Sequence, residues 1–162
     1  MTEPFEGAAN CRQIADYQFG RGAGAALFPP GDELAVRRSA SGRVRQVVAP
    51  DGRLVSSGAD GRFTLGFAGG QRLASALESP TCRVVVGDES EPFVRDGKNV
   101  FAKFVTDVAP DVRPGDEVLV VHHQGALLAV GRAELAAAAM GDFETGMAVK
   151  VREGADGWKR SQ

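Results

Sequence analysis

Lysine, histidine and cysteine are scarce in this chain, whose 162 residues include four lysines, two histidines and two cysteines. The two cysteines, Cys11 and Cys82, make no disulfide framework, so a reducing environment and a cytoplasmic location are expected. No apolar run reaches the roughly 18 residues that span a bilayer, which excludes a transmembrane helix. The first ten residues contain neither a basic segment nor an apolar core, so no secretory signal is predicted there.

Basic and acidic residues nearly balance, at 19 against 21, and the net charge is −2. This balance excludes binding to nucleic acid through overall charge, so no DNA partner is expected and any phosphate-binding surface has to be local. Apolar residues make up 43% and charged residues 25%, a mixture typical of folded globular proteins. The lysines all lie in the second half, at positions 98, 103, 150 and 159.

Residues 1–79 predict an α+β domain. Asn10 is a candidate N-cap for a helix over 11–20, which a glycine can end. The pattern then changes to short strands separated by SASG, APDG and GADG, and Asp-Gly at this spacing is a strong hairpin signal. A second helix is predicted over 71–77, closed by the Ser79-Pro80 step. The predicted strands are LAVRRS, RVRQVV, RLVSS and RFTLGF.

Residues 80–154 predict a second domain, a small mixed β-barrel, because the strands are short, close in sequence and separated by brief helices. The domain boundary falls near residues 78–80, and two cores this small are expected to pack on each other. Residues 155–162 are predicted to form a polar tail. The predicted strands are RVVVG, VFAKFV, DEVLVVHH, ALLAVGRAEL and GMAVKVRE, with short helices in DESEPFVRDGKN and AAAAMGDFE.

Three ordered motifs in the second half carry a family resemblance. The set RPGDEVLVV, LLAVGRA and FETGMAVKVREG resembles the PUA domain, named for pseudouridine synthases and archaeosine transglycosylases. Within that family, GKNVFAKFV is similar to the form found in archaeal tRNA-guanine transglycosylases and archaeosine synthases. The string ADYQFGRGAGAALFP resembles the small domain that precedes PUA in those proteins. The resemblance implies a pseudobarrel that binds structured RNA, commonly tRNA, without catalytic residues or a cofactor.

A local group of cations agrees with this expectation. Lys150 and Arg152 are two residues apart on a predicted strand, so both point from one face while Val149 and Val151 point to the core. The family places the GKN turn beside this strand. The alternative is that these are ordinary solvated surface charges. The predicted RNA-binding residues are Lys98, Asn99, Lys103, Arg132, Lys150 and Arg152.

Two functions fit these observations. The first is a non-catalytic RNA-binding protein, with tRNA as the expected ligand, linked to tRNA modification and to archaeosine. The second is an accessory subunit that binds a tRNA-modifying enzyme and makes no RNA contact. The transglycosylase barrel needs roughly 250 residues, so the chain is expected to act alone or with an enzyme on another chain. A third function, an enzyme acting on a nucleotide, has no assembled site in the sequence.

Several polar residues invite a chemical interpretation that the pattern does not favour. His122 and His123 are adjacent on a predicted strand, so their side chains are expected on opposite faces, where they cannot bind one metal together. The two cysteines have no CxxC partner, so no zinc site is predicted. The acids Asp88, Glu89 and Glu91 form a turn cluster in a polar run, which does not favour a general acid.

Three aromatic residues and one acidic residue have open alternatives. Phe101 and Phe104 lie in an apolar run, so core packing is favoured over stacking on RNA bases. Asp16 and Tyr17 either brace the N-terminal domain, which is favoured, or make a functional contact. The glycines at positions 20, 22 and 24 follow a predicted helix and not a strand, so no dinucleotide loop is predicted.

Overall fold

The computed structural model describes residues 2–78, 81–142 and 145–162. The chain divides into two compact units, residues 1–78 and 79–162. Within the described ranges, no helix combines the length and apolarity that a membrane crossing requires. The predicted helix ends at 79–80 and at 143–144 lie outside the described residues.

Unit 1 is an α+β fold with one four-stranded sheet. The strands pair antiparallel in the order β1-β2-β3-β4, and each hydrogen-bonds to the next along the chain. Asp51 and the Asp60-Gly61 step lie in the turns between strands where the sequence predicts them, whereas Gly52 is the first residue of β3. The elements are α1 Ala8–Phe19, α2 Ala23–Leu27, β1 Ala35–Arg38, β2 Val44–Ala49, β3 Gly52–Ser57, β4 Phe63–Leu65 and α3 Phe67–Ala76.

In unit 1, the first residues of helices α1 and α3 are set by backbone geometry, and side-chain propensities predict different starting residues. α1 begins after Gly7, at φ +90° and without a side-chain cap, so the prediction of Asn10 as N-cap is wrong. α3 begins at Phe67, four residues earlier than predicted, because the helix packs closely on β3. A Cβ at Gly69 would lie 2.1 Å from the Leu54 carbonyl oxygen, so glycine there permits the contact.

Unit 2 confirms the predicted mixed barrel. Its six strands have the order β6-β10-β9-β8-β5-β7 in a nearly closed sheet, and β5 and β8 pair in parallel. The core under this sheet includes Val84, Val120, Leu128, Met140 and Val149, all fully buried. The elements are β5 Arg83–Val86, α4 Glu91–Arg95, β6 Val100–Phe101, a 3₁₀ helix Ala102–Phe104, β7 Val105–Val108, β8 Glu117–His122, β9 Leu127–Ala133, α5 Ala137–Asp142, β10 Met147–Gly154 and α6 Ala155–Arg160.

Two predictions for unit 2 are wrong. The segment 100–105 is not one strand, because β6 and β7 lie at opposite edges of the sheet and the 3₁₀ helix carries the chain between them. The segment 155–162 is not only a polar tail, since most of it forms α6. Ala155 and Trp158 are three residues apart and give this helix one buried or half-buried side, which packs near α4, β9 and β10.

Candidate nucleic-acid interface

A pair of cations lies on the outer face of the unit 2 sheet. Lys150 on β10 is directly opposite Arg132 on β9 in an antiparallel pair, so both side chains leave the sheet on the same side. Both residues are exposed, whereas Val149, next to Lys150, is fully buried. Two positive charges are therefore held side by side and open to solvent.

Asn99 joins the segment before β6 to the same strand. Its Oδ1 accepts a hydrogen bond of 2.9 Å from the backbone N–H of Val151, midway between Lys150 and Arg152. The neighbouring Lys98 is exposed, and its backbone N–H donates to the Phe93 carbonyl at 3.0 Å. Asn99 thus acts as a backbone brace that keeps Lys98 beside β10.

Lys103 lies on the 3₁₀ helix and not within a strand. Its Nζ is 5.0 Å from the centroid of the Phe104 ring, a cation–π contact, and the residue is exposed. Phe101, two residues before it, pairs with Met147 at the start of β10. The structure therefore places Lys103 near the start of β10 and Asn99 near Val151 along the same strand.

Arg152 has a buried acidic partner that the sequence did not indicate. Its Nη1 and Nη2 donate to the two carboxylate oxygens of Glu117 at 2.6 and 2.8 Å. Only 5% of the Glu117 side chain is exposed, so the carboxylate is largely removed from water, whereas 31% of the Arg152 side chain remains exposed. The one signal for it is an acidic residue at the start of an otherwise apolar strand.

The remaining charges near β10 differ in how far they are neutralised. Arg132 Nη2 donates to Glu134 Oε1 at 3.1 Å. The three lysines near this strand, Lys98, Lys103 and Lys150, have no ion-pair partner among the described residues. Local positive charge is therefore concentrated on lysine in a chain that is acidic overall.

Two family models match the chain in sequence order. Residues 9–80 match the patch-forming domain C2 of tRNA-guanine transglycosylase, and residues 82–155 match the PUA domain. Residues 82–155 of this chain are therefore a PUA domain. The PUA match lies within unit 2, and the C2 match covers most of unit 1 and ends two residues beyond it. We call unit 2 the PUA domain and unit 1 the C2 domain.

Curated relatives at high identity are archaeal enzymes that are much longer than this chain. The tRNA-guanine(15) transglycosylase of Methanothermobacter thermautotrophicus is 46% identical over 145 residues, which cover 88% of this chain and 22% of that protein. The same enzyme of Pyrococcus abyssi is 48% identical over 145 residues, covering 89% and 24%. The chain thus spans under a quarter of these relatives and corresponds to their C-terminal part.

Solved structures match the fold over nearly the whole chain. A hypothetical protein of Pyrococcus horikoshii has a TM-score of 0.74 at 22% identity, covering 96% of this chain and 95% of its own. A conserved PUA domain protein of Thermoplasma acidophilum has a TM-score of 0.64 at 19% identity, covering 94% and 93%. At these identities the likeness shows the two-domain fold.

Exposed aromatic rings of the PUA domain depart from the expected core packing. Phe101 is 47% exposed, because it lies on an edge strand and points away from the core that holds its neighbours Val100 and Ala102. The preference for core packing is wrong at this position, whereas Phe104 is half-buried. Phe93 on α4 is 62% exposed, and no sequence pattern had singled it out.

In the C2 domain, Asp16 and Tyr17 have different environments. The carboxylate of Asp16 accepts a 2.7 Å hydrogen bond from the backbone N–H of Gly24, which ties the end of α1 to α2. The bracing interpretation is therefore confirmed for Asp16. Tyr17 is 96% exposed and points into solvent.

The two histidines of the PUA domain contradict the expectation of opposite faces. Their ring centroids are 4.0 Å apart, and the planes are tilted by 56°. The strand ends at His122, so the alternation of strand side chains does not extend to His123, which begins the turn. One ligand atom of each ring and one carboxylate oxygen of Asp88 all lie within 4.8 Å of one another, so the prediction that the two histidines cannot share a metal is wrong on geometry.

Proposed function

We propose that this chain is a non-catalytic RNA-binding protein whose ligand is tRNA and which takes part in tRNA modification. The supporting observation is the exposed Lys150–Arg132 pair on the PUA sheet, with Lys98 held next to it through Asn99. Lysine and arginine at such a surface bind phosphate oxygens, which position an RNA without reading its sequence. The named relatives modify tRNA, which makes tRNA the first ligand to test.

The proposal assigns no reaction to this chain. The matched domains are C2 and PUA, and they correspond to the C-terminal part of the relatives. Because the match is limited to these two domains, we infer that the chain positions tRNA for a modifying enzyme. We also propose that it acts in the cytoplasm, where the tRNA substrate of such an enzyme is found.

The second candidate function is that of an accessory subunit without RNA contact. It is favoured by the internal ion pair of Arg152 with Glu117 and by the pairing of Arg132 with Glu134, which both reduce the charge offered to phosphate. The partner would then be a tRNA-modifying enzyme. This candidate predicts that the lysines beside β10 are unimportant for RNA.

Fluorescence anisotropy with a labelled tRNA transcript distinguishes the two functions. We expect Lys150→Ala and Lys98→Ala each to weaken binding, since each variant removes a phosphate contact. Duplex DNA of similar length, used as a competitor, is expected to displace the tRNA poorly.

The control variant is Arg45→Ala, which removes an exposed cation from β2 in the C2 domain. Arg53 is unsuitable as a control because its guanidinium donates to Ser56 Oγ and to the carbonyls of Thr64 and Leu65. Unchanged affinity in both lysine variants, with the protein folded, would favour the accessory-subunit function.

A further inference from the structure

Three potential metal ligands lie together at the C-terminal ends of the neighbouring strands β5 and β8, and a fourth, Glu91, lies beside one of them. β5 and β8 are parallel neighbours, with Val86 opposite His122, so the segments that follow these two strands lie together. One ligand atom each of Asp88, His122 and His123 lies within 4.8 Å of the other two. Glu91, at the start of α4, places its Oε2 3.2 Å from His122 Nε2.

The backbone fixes both histidines in this arrangement. The His123 N–H donates to the Val86 carbonyl at 3.1 Å, and the His122 N–H donates to the Ala126 carbonyl at 2.8 Å. Only 5% of the His122 side chain is exposed. Since the fold already orders the backbone at both histidines, a ligand loses affinity only to the side-chain adjustments described below.

We propose that Asp88, His122 and His123 bind a divalent metal ion of the Zn²⁺ class, with Glu91 as the fourth ligand. Two imidazoles favour Zn²⁺ and its neighbours among the transition metals over Mg²⁺ and Ca²⁺, which prefer oxygen ligands. Tetrahedral Zn²⁺ with bonds of about 2.0–2.2 Å separates its ligand atoms by about 3.3 Å, close to the distance from Glu91 to His122.

Asp88 has to adjust to complete this geometry. Its Oδ1 is 2.5 Å from His122 Nε2, a hydrogen-bond distance, and has to move outward to bind the metal. The side chain is 85% exposed and is therefore able to move. With four protein ligands the coordination sphere is closed, which is typical of a structural site, and this site would tie α4 to the β8–β9 hairpin.

Metal binding requires a proton to move within the His122 ring. The Gln124 N–H donates to His122 Nδ1 at 3.1 Å, so the neutral ring carries its proton on Nε2 and donates it to Asp88. A metal takes the Nε2 lone pair, so the neutral ring then carries its proton on Nδ1. The number of protons on the ring is unchanged, and the hydrogen bond from Gln124 breaks.

Zn²⁺ titration of the tag-free full chain, after treatment with a chelator, tests the proposal. We expect one ion per chain by calorimetry, and Co²⁺ in place of Zn²⁺ is expected to give the intense visible absorption of a tetrahedral site. In NMR spectra, saturating Zn²⁺ is expected to move the His122 proton from Nε2 to Nδ1 and to shift the Gln124 amide resonance. A His122 ring that keeps its proton on Nε2 at saturation would overturn the proposal.

His123 and Asp88 are exposed, so replacing either residue leaves the hydrophobic core of the PUA domain intact. His123→Ala and Asp88→Asn are each expected to weaken Zn²⁺ affinity roughly tenfold or more, since loss of even an outer partner of a metal site has effects of this size. Glu89→Gln is the matched control, because Glu89 is exposed in the same turn and belongs to no part of the site. Binding that is absent, or equal in His123→Ala and Glu89→Gln, contradicts the proposal.

Discussion

Arg152 on β10 and Glu117 on β8 form a two-point ion pair that reaches across the intervening strand β9, with N–O distances of 2.6 and 2.8 Å. Parallel hydrogen bonds between guanidinium and carboxylate are among the strong charge-assisted contacts in proteins. Lys150, two residues earlier on β10, has no ion-pair partner among the described residues. Two cations on the same strand therefore differ, since Arg152 is paired with a buried carboxylate and Lys150 extends toward solvent.

This difference predicts effects of different size on stability. Arg152→Ala removes the bidentate ion pair of the buried Glu117 carboxylate and is expected to lower the free energy of unfolding of the PUA domain by about 2 kcal/mol. Lys150→Ala is expected to change it by less than about 0.5 kcal/mol. The measurement is urea denaturation followed by the fluorescence of Trp158, the single tryptophan, which lies on α6.

A double variant tests the cause of the Arg152→Ala effect. Replacing both partners, as Glu117→Leu with Arg152→Leu, removes the buried charge together with its counter-charge, and is expected to restore most of the lost stability. If the double variant is as unstable as Arg152→Ala, loss of the counter-charge beside the buried Glu117 carboxylate is not the cause.

The salt dependence of tRNA binding is expected to report how many of these cations meet phosphate. Each phosphate contact contributes roughly 0.7–0.9 to the slope of log affinity against log salt concentration. Lys150→Ala is therefore expected to flatten the slope by about that amount, because it removes one contact. Arg45→Ala should leave the slope unchanged, and an equal flattening in both variants would contradict a specific contact at β10.

Short-range sequence patterns predict the features that depend only on residues close together in the chain. The Asp-Gly turns of the C2 domain and the exposure of Lys150 next to the buried Val149 follow from turn chemistry and strand alternation. The pairing of Lys150 with Arg132 needs only neighbouring strands in register. These features were accessible because the residues concerned are close in the sequence or belong to an ordered family motif.

Features that depend on distant residues were not accessible. The partner of Arg152 is 35 residues away, and the Asp88–His122 contact spans 34. The early start of α3 depends on a backbone contact between Gly69 and Leu54, which helix propensity does not encode. In each case the fold brings together residues that are far apart in the sequence, and neither helical nor strand periodicity relates their positions.

A close backbone contact under the cation pair predicts a sensitive glycine. A Cβ at Gly131 would lie 2.4 Å from the Lys150 carbonyl oxygen. Gly131→Ala is therefore expected to cost about 1–3 kcal/mol in the free energy of unfolding of the PUA domain, as overpacking generally does. It is also expected to weaken tRNA binding, since β9 and β10 must separate next to Arg132 and Lys150.

Gly141→Ala is the matched control for this effect. Gly141 lies in α5 of the same domain, where an added Cβ meets nothing within 4 Å. Alanine has a higher helix propensity than glycine by about 1 kcal/mol, so this variant is expected to be as stable as the parent or slightly more so. Both variants are measured by Trp158 fluorescence in urea, and equal destabilisation would exclude the steric explanation.

Because burial raises the pKa of the Cys82 thiol, the stability of the PUA domain is expected to fall in alkaline solution. Burial raises the pKa of this thiol from its ordinary value of 9.0 to about 12, with Arg83 opposing the rise. Between these two values the unfolded chain loses the thiol proton and the folded chain keeps it, so the folded state is favoured less as pH increases. The stability contributed by the protonated thiol is complete below about pH 9 and is lost as the pH rises toward 12.

The free energy of unfolding of the parent, minus that of Cys82→Ala, should fall by up to about 1.4 kcal/mol per pH unit in this window. Taking the difference removes the titration of all other groups, and a difference that stays constant from pH 9 to 11 would show that the pKa of Cys82 is not raised.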